Sequence, residues 1–260
     1  MSTTTLATSR QHFVLVHGSG HGAWCWYKVR PVLESLGHTV TCIDLKGSGD
    51  DPSDPKSVLS FEDYNKPLVD LLSSPSLHQK VILVGHSAGG ISVSRTIHKF
   101  PEKIRVAVFI AGIMLNLGFQ TPQDLKDGGP DLTGMEDKIE YEFGKGVDQP
   151  PTTAFLKPEF QRNHFYHLSP LEDCTLAEMR IRPCPMAPIG AKWEENKESN
   201  RVPRVYIKTS QDKALKPEQQ DAMIKKWPPS QVYTIDTDHS PFFSTPSLLC
   251  DLLANIALSF

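Results

Sequence analysis

The pentapeptide Gly85-His86-Ser87-Ala88-Gly89 constrains this 260-residue chain more than any other feature. It matches G-x-S-x-G and lies between Val81-Ile82-Leu83-Val84, an apolar run of strand character, and Ile91–Lys99, which has helical spacing. A serine between a strand and a helix can stand on a very tight turn with its Oγ exposed. Flanking glycines leave room there where a Cβ would clash. The pentapeptide alone is common; its setting makes Ser87 a candidate nucleophile. Backbone N–H groups and the positive end of the helix dipole also gather at such a turn, so the Ala88 N–H can hold a developing oxyanion. The loop after the first strand, His17-Gly18-Ser19-Gly20, offers a second donor, the Ser19 N–H.

A nucleophilic serine needs a base, and the base needs an acid to orient it. In folds with this elbow the chain order is Ser, then Asp or Glu, then His. His239 follows the last strand in Asp236-Thr237-Asp238-His239-Ser240, and Asp212 follows the strand Val205–Lys208. Asp236 and Asp238 are rival acids, but both lie too close to His239 in sequence to reach its Nδ1 from a separate strand. The expected triad is Ser87, Asp212 and His239, and it requires no metal or cofactor.

Strand and helix signals alternate along the chain. Strands are expected at His12–His17, His38–Asp44, Val81–Val84, Ile104–Ile110, Val205–Lys208 and Gln231–Ile235. Helices are expected at Trp24–Leu36, Phe61–Leu72, from the elbow to Phe100, Pro217–Lys226 and Pro246–Ala257. This rhythm implies a mostly parallel central sheet with helices on both faces, and with the elbow and the order of the triad it points to a single α/β-hydrolase domain. Its core would comprise 12–114 and 201–260. The stretch 115–200 breaks the rhythm: it is rich in Pro, Gly, Met and aromatics and shows no clear strands. It reads as an inserted helical cap over the C-terminal edge of the sheet, where ligands bind in such folds. Gly18, Phe119, Phe143, Phe155, Trp193 and Phe243 are the candidate pocket residues, with Ser19, Leu125, Phe160, Phe165 and Met186 as further candidates by position.

Composition removes other classes. A net charge of −3 gives no reason to expect nucleic acid or an anionic membrane as partner. The longest apolar run, Val106–Leu115, has ten residues, against the roughly 20 that span a bilayer. Met1–Gln11 is polar and lacks the apolar centre of a signal peptide. Five cysteines show no metal-type or CxxC spacing, so a cytoplasmic, reduced protein is expected. One decoy remains. Gly18-x-Gly20-x-x-Ala23, with Asp44 ending the next strand, approaches a dinucleotide fingerprint, and Tyr141-x-x-x-Lys145 supplies a reductase-like pair. That reading leaves the elbow, Asp212 and His239 unexplained, whereas an oxyanion loop accounts for the same glycines.

The segments His12–Tyr27, Thr41–Leu45, Gly85–Gly89 and Asp238-His239 together resemble the plant methylesterase family. That family also holds salicylate-binding esterases, polyneuridine aldehyde esterase and the α-hydroxynitrile lyases. Val205–Lys208 and Lys216–Ile224 look closest to members that hydrolyse methyl indole-3-acetate. The resemblance implies a helical cap, a cytosolic location, and hydrolysis of methyl esters of small aromatic or isoprenoid acids. It implies Ser87, Asp212 and His239 as triad and Ser19 and Ala88 as oxyanion donors. A small-molecule ester is then the partner, with homodimerisation left open. The lyase branch carries a threonine where this chain has Gly18 and a lysine where it has Ser240. That lysine stabilises departing cyanide, so its absence favours the esterase branch. Two alternatives stay open: an alkaloid ester esterase whose product acid decarboxylates, and a non-catalytic ligand receptor on the same fold.

Overall fold

The central apolar runs become strands buried on both faces, which suits a parallel sheet covered by helices on either side, while the outermost runs stay partly exposed. The computed structural model describes residues 10–130, 134–135 and 137–260; the polar N-terminal stretch, through residue 9, lies outside the described residues. The six core strands are β1 (His12–Val16), β2 (Thr39–Ile43), β3 (Val81–His86), β4 (Ile104–Ile110), β8 (Arg204–Thr209) and β9 (Gln231–Ile235). They form one sheet in the order β2-β1-β3-β4-β8-β9, and every pairing in it is parallel. Alternation decides which face each side chain meets. Val14, Val16, Leu83 and Phe109 pack into one core layer, and Phe13, Leu15, Ile82, Val84 and Val108 into the other.

Helices α1 (Val29–Ser35), α2 (Phe61–Tyr64), α3 (Lys66–Ser73), α4 (Gly89–Lys99), α8 (Pro217–Lys226), α9 (Pro241–Ser244) and α10 (Pro246–Ser259) belong to the layers around the sheet. Two of them depart from expectation. The helix expected over Trp24–Leu36 is a 3-10 turn at Ala23–Trp26 followed by α1. The helix expected over Phe61–Leu72 breaks at Asn65, and Pro67 opens α3 at a first-turn position. Proline has no N–H for the ladder, and its ring clashes with the preceding turn, so a continuous helix cannot pass through it.

The insertion between β4 and β8 corrects a larger expectation. It holds α5 (Pro122–Gly128), α6 (Pro158–Phe165) and α7 (Leu171–Arg180), but also three strands, β5 (Ile139–Glu142), β6 (Thr153–Leu156) and β7 (Cys184–Pro185). These pair antiparallel in the order β5-β6-β7. They are short, and β5 is largely exposed, so no sustained alternation marks them in the sequence. Three polar ties fasten the insertion to the core. Asp173, fully buried on α7, accepts from the Tyr27 hydroxyl and from Lys28 Nζ. The Arg182 guanidinium donates to the carbonyls of Gly49, Asp51 and Ser53. Asp238 accepts from Leu168 N–H and Ser169 Oγ, each at 2.9 Å.

Candidate active site

Ser87 stands at the end of β3 with φ of +51°, in the left-handed region that non-glycine residues rarely occupy. Its strain is held by neighbours: Ser87 N–H donates to Ile110 O, while its carbonyl accepts from Gly90 and Ile113. The glycines around it are required by contact. A Cβ on Gly85 would lie 2.6 Å from Val93, and one on Gly89 would lie 2.4 Å from the His17 carbonyl. A Cβ on Gly18 would lie 2.8 Å from the Ser87 Cβ. The β1–β3 register, Val16 beside Gly85, therefore brings the Gly18–Ser19 loop directly against the elbow.

Both proposed oxyanion donors are on this edge. Ala88 is the N-cap of α4, so its N–H has no partner within the helix. The Ser19 peptide is set by a buried histidine that motif reasoning passed over. His17 Nε2 accepts the Leu45 N–H at 3.1 Å, which places the proton on Nδ1. Nδ1 then donates to the Gly18 carbonyl at 2.8 Å. Next along the loop, His21 Nδ1 donates to the Ser19 carbonyl at 2.8 Å, and its Nε2 accepts the Tyr166 hydroxyl at 2.7 Å. Burial above all drives the His21 imidazole down to about 3, with the Ser19 carbonyl opposing and His17 and His239 adding to the effect, so it stays neutral. His86 completes the cluster by donating from Nε2 to the His239 carbonyl at 2.8 Å. The signal for all three lay in the sequence as histidines beside small residues at the ends of β1 and β3.

His239 is buried, and its Nδ1 meets Asp212 Oδ2 at 2.7 Å. Burial pushes the Asp212 carboxyl upward, but the facing His239 and several donors outweigh it and hold the group below the usual carboxylate range. Those donors are Thr209 Oγ1 on Oδ2, and the Ala214 and Leu215 N–H groups on Oδ1. The rival acids are engaged elsewhere. Asp236 is exposed and accepts from Ser210 and Gln211. Asp238 is fully buried, and besides the two insertion donors it accepts from Ser240 N–H and Ser244 Oγ.

Ser19, Ser87, Ala88 and His239 line one cavity of about 330 Å³, a size that suits a small molecule. Its far wall comes from the insertion and is largely apolar, with Ile139, Phe155, Leu156, Phe165, Ile181 and Met186. Of the expected pocket residues Phe155 lies on this wall, as do the further candidates Phe165 and Met186. The others pack elsewhere. Phe119 and Trp193 are in the core, where Trp193 stacks on Phe61 and its indole N–H donates to Asn116 O. Phe243 lies in the opposite layer against Phe242, Phe143 is solvent-exposed, and Gly18 sits beneath Ser87. Leu125 is exposed, and neither it nor Phe160 is on the wall. His164, which the sequence did not single out, is on it. The dinucleotide decoy also dissolves, since Asp44 Oδ1 accepts the Ala23 N–H at 2.6 Å rather than facing an open crevice. Among the described residues no cluster of His, Cys, Asp or Glu is arranged to hold a metal, and no helix is long and apolar enough to cross a membrane.

Residues 13–252 match the α/β hydrolase family. The chain is 52% identical to methylesterase 17 of Arabidopsis thaliana, over 99% of this chain and 96% of that protein. The crystal structure of the Arabidopsis methylesterase MES16 superimposes with a TM-score of 0.86 at 42% identity, covering 96% of this chain and 100% of that one. Polyneuridine aldehyde esterase also gives 0.86, at 32% identity and the same coverage. The chain belongs to the plant methylesterase family of α/β hydrolases and is a carboxylic ester hydrolase.

Proposed function

We propose that this protein hydrolyses methyl esters of small, lipophilic, flat carboxylic acids, with methyl indole-3-acetate as the model substrate. Ser87 is the nucleophile, His239 the base, Asp212 the orienting acid, and the N–H groups of Ser19 and Ala88 the oxyanion donors. The observation that carries this reading is the 2.7 Å contact between His239 Nδ1 and Asp212, with His239 and Ser87 on the same cavity. His239 Nε2 takes the Ser87 proton as Oγ attacks the ester carbonyl, and the two N–H groups hold the tetrahedral oxyanion. The imidazolium, stabilised by Asp212, then protonates the departing methoxide to methanol. Water enters, gives its proton to His239 and attacks the acyl-enzyme; collapse returns the proton to Ser87 and frees the acid. The segment 115–200 acts as the cap whose apolar wall receives the acyl group, and a lipophilic acid matches that wall better than a charged one.

The test offers methyl indole-3-acetate, methyl jasmonate, methyl salicylate and an alkaloid methyl ester to the wild type and measures methanol. Release from the indole ester, abolished in Ser87→Ala, supports the reading. If none is cleaved while Ser87 still reacts with a fluorophosphonate, the methyl-ester assignment fails. A non-catalytic receptor would show turnover of p-nitrophenyl acetate that is negligible or unchanged by Ser87→Ala.

A further inference from the structure

The cavity wall built by the insertion carries four polar side chains: Tyr141, His164, Arg182 and Cys184. Two are committed. The Arg182 guanidinium is held by three backbone carbonyls of the 49–53 loop, and the Cys184 thiol donates to Ala154 O. Tyr141 lies on the exposed strand β5, with 38% of its surface accessible. His164, near the end of α6, differs from all three. It is partly buried, its ring packs edge-on against Phe165 at 4.9 Å, and neither ring nitrogen has a hydrogen-bond partner among the described residues. Phe165 in turn stands 5.8 Å from the His239 ring, so His164 lies close to the reacting end of the cavity.

We propose that His164 is a specificity-determining residue that hydrogen-bonds a polar atom of the acyl group, such as a ring N–H, and so favours acyl groups carrying that atom over hydrocarbon-like isosteres. This deepens the esterase reading and rests on it. Burial lowers the imidazole to about 4, with His239 adding to the effect and Asp212 opposing it, so the ring is neutral at physiological pH. A neutral imidazole offers one N–H and one lone pair, and its tautomer can follow the ligand. When an acyl group fills the cavity and displaces water, these atoms are either paired by the substrate or left unsatisfied. The second case carries a desolvation penalty, so the contact discriminates more than its net strength alone would suggest.

The experiment compares two activated esters of matched shape, p-nitrophenyl indole-3-acetate and p-nitrophenyl benzothiophene-3-acetate. The second replaces the ring N–H by sulfur. The wild type is expected to prefer the indole ester by about tenfold in kcat/KM, the worth of one such hydrogen bond. In His164→Phe that ratio should fall to near one, and in His164→Gln, which keeps a donor and an acceptor, it should recover in part. Both rates are measured on the same sample, so partial misfolding lowers them together and leaves the ratio intact. A wild type that does not discriminate, or a preference that survives in His164→Phe, overturns the proposal. Cleavage of neither ester by the wild type sinks the esterase reading and this one with it. Cleavage of these esters without any methyl ester would remove the methyl-ester assignment alone.

Discussion

His17 donates its Nδ1–H to the Gly18 carbonyl at 2.8 Å, and the peptide that carries this carbonyl also carries the Ser19 N–H. The two groups point in opposite directions from one rigid plane, so a bond to the oxygen aims the N–H. Removing one oxyanion donor elsewhere costs about 10²–10³ in kcat. His17→Leu loosens this donor rather than deleting it, so kcat for p-nitrophenyl acetate should fall about 10–100-fold with KM little changed. Unchanged kcat in a folded variant would show that the peptide is aimed by other contacts.

Asp212 should be irreplaceable by its neutral isostere. Asp212→Asn can donate to His239 Nδ1 and so favours the wrong tautomer; a loss of roughly 10⁴ in kcat is expected. Asp236→Asn, at an exposed carboxylate that touches only Ser210 and Gln211, should stay within about twofold of wild type. Equal losses from the two substitutions would contradict the assignment of the acid.

Gly18→Ala tests the contact beneath the nucleophile. The added Cβ would meet the Ser87 Cβ at 2.8 Å and His86 Nδ1 at 2.9 Å, with His86 fully buried and Ser87 half-buried. Overpacking of this kind costs about 1–3 kcal/mol. The urea midpoint should drop accordingly, and turnover should fall as Ser87 is displaced.

Stability should fall on mild acidification. Burial holds His21 at about 3 and His164 at about 4, and lowers His17 and His86 from their ordinary value of 6.5. Between the folded and unfolded values the unfolded chain binds more protons, so stability is fully present above 6.5 and is lost as pH falls toward the folded value. For His21 alone the slope in that window is ~1.4 kcal/mol per pH unit. Chemical denaturation at pH 7 and pH 5 measures it, and His21→Gln should flatten the dependence. A stability curve that rises toward pH 5 would contradict this account.

The sheet and the elbow were readable because parallel strands are continuous apolar runs and because Ser87 needs glycines around it. The chain-order rule also pointed to Asp212 over its neighbours, and the structure adds a geometric difference: Asp212 Oδ2 meets His239 Nδ1, whereas Asp238 is occupied by four donors from two segments. The cavity wall was far less legible. Phe119, Phe155 and Trp193 are equally apolar in sequence, and the path of the insertion alone sends one to the wall and two to the core. The strands β5 to β7 escaped notice for a related reason. Each is too short to show a period, and their pairing joins residues separated by a Gly- and Pro-rich loop between β5 and β6 and by two helices between β6 and β7. His164 carries no motif at all; only the open cavity beside it gives it meaning.

The pairing of β4 with β8 across residues 111–203 has a consequence for how the chain is made. As synthesis proceeds, β1 to β4 emerge first, and the unpaired edge of the largely apolar strand Ile104–Ile110 waits for a partner that is translated only after the entire insertion. An unpaired apolar edge is a template for association with other chains. Fragments ending within 111–203 should therefore collect as aggregates, while chains extending past β9 should be recovered in solution. The segment that shapes the pocket also sets the interval during which the nascent sheet stands open.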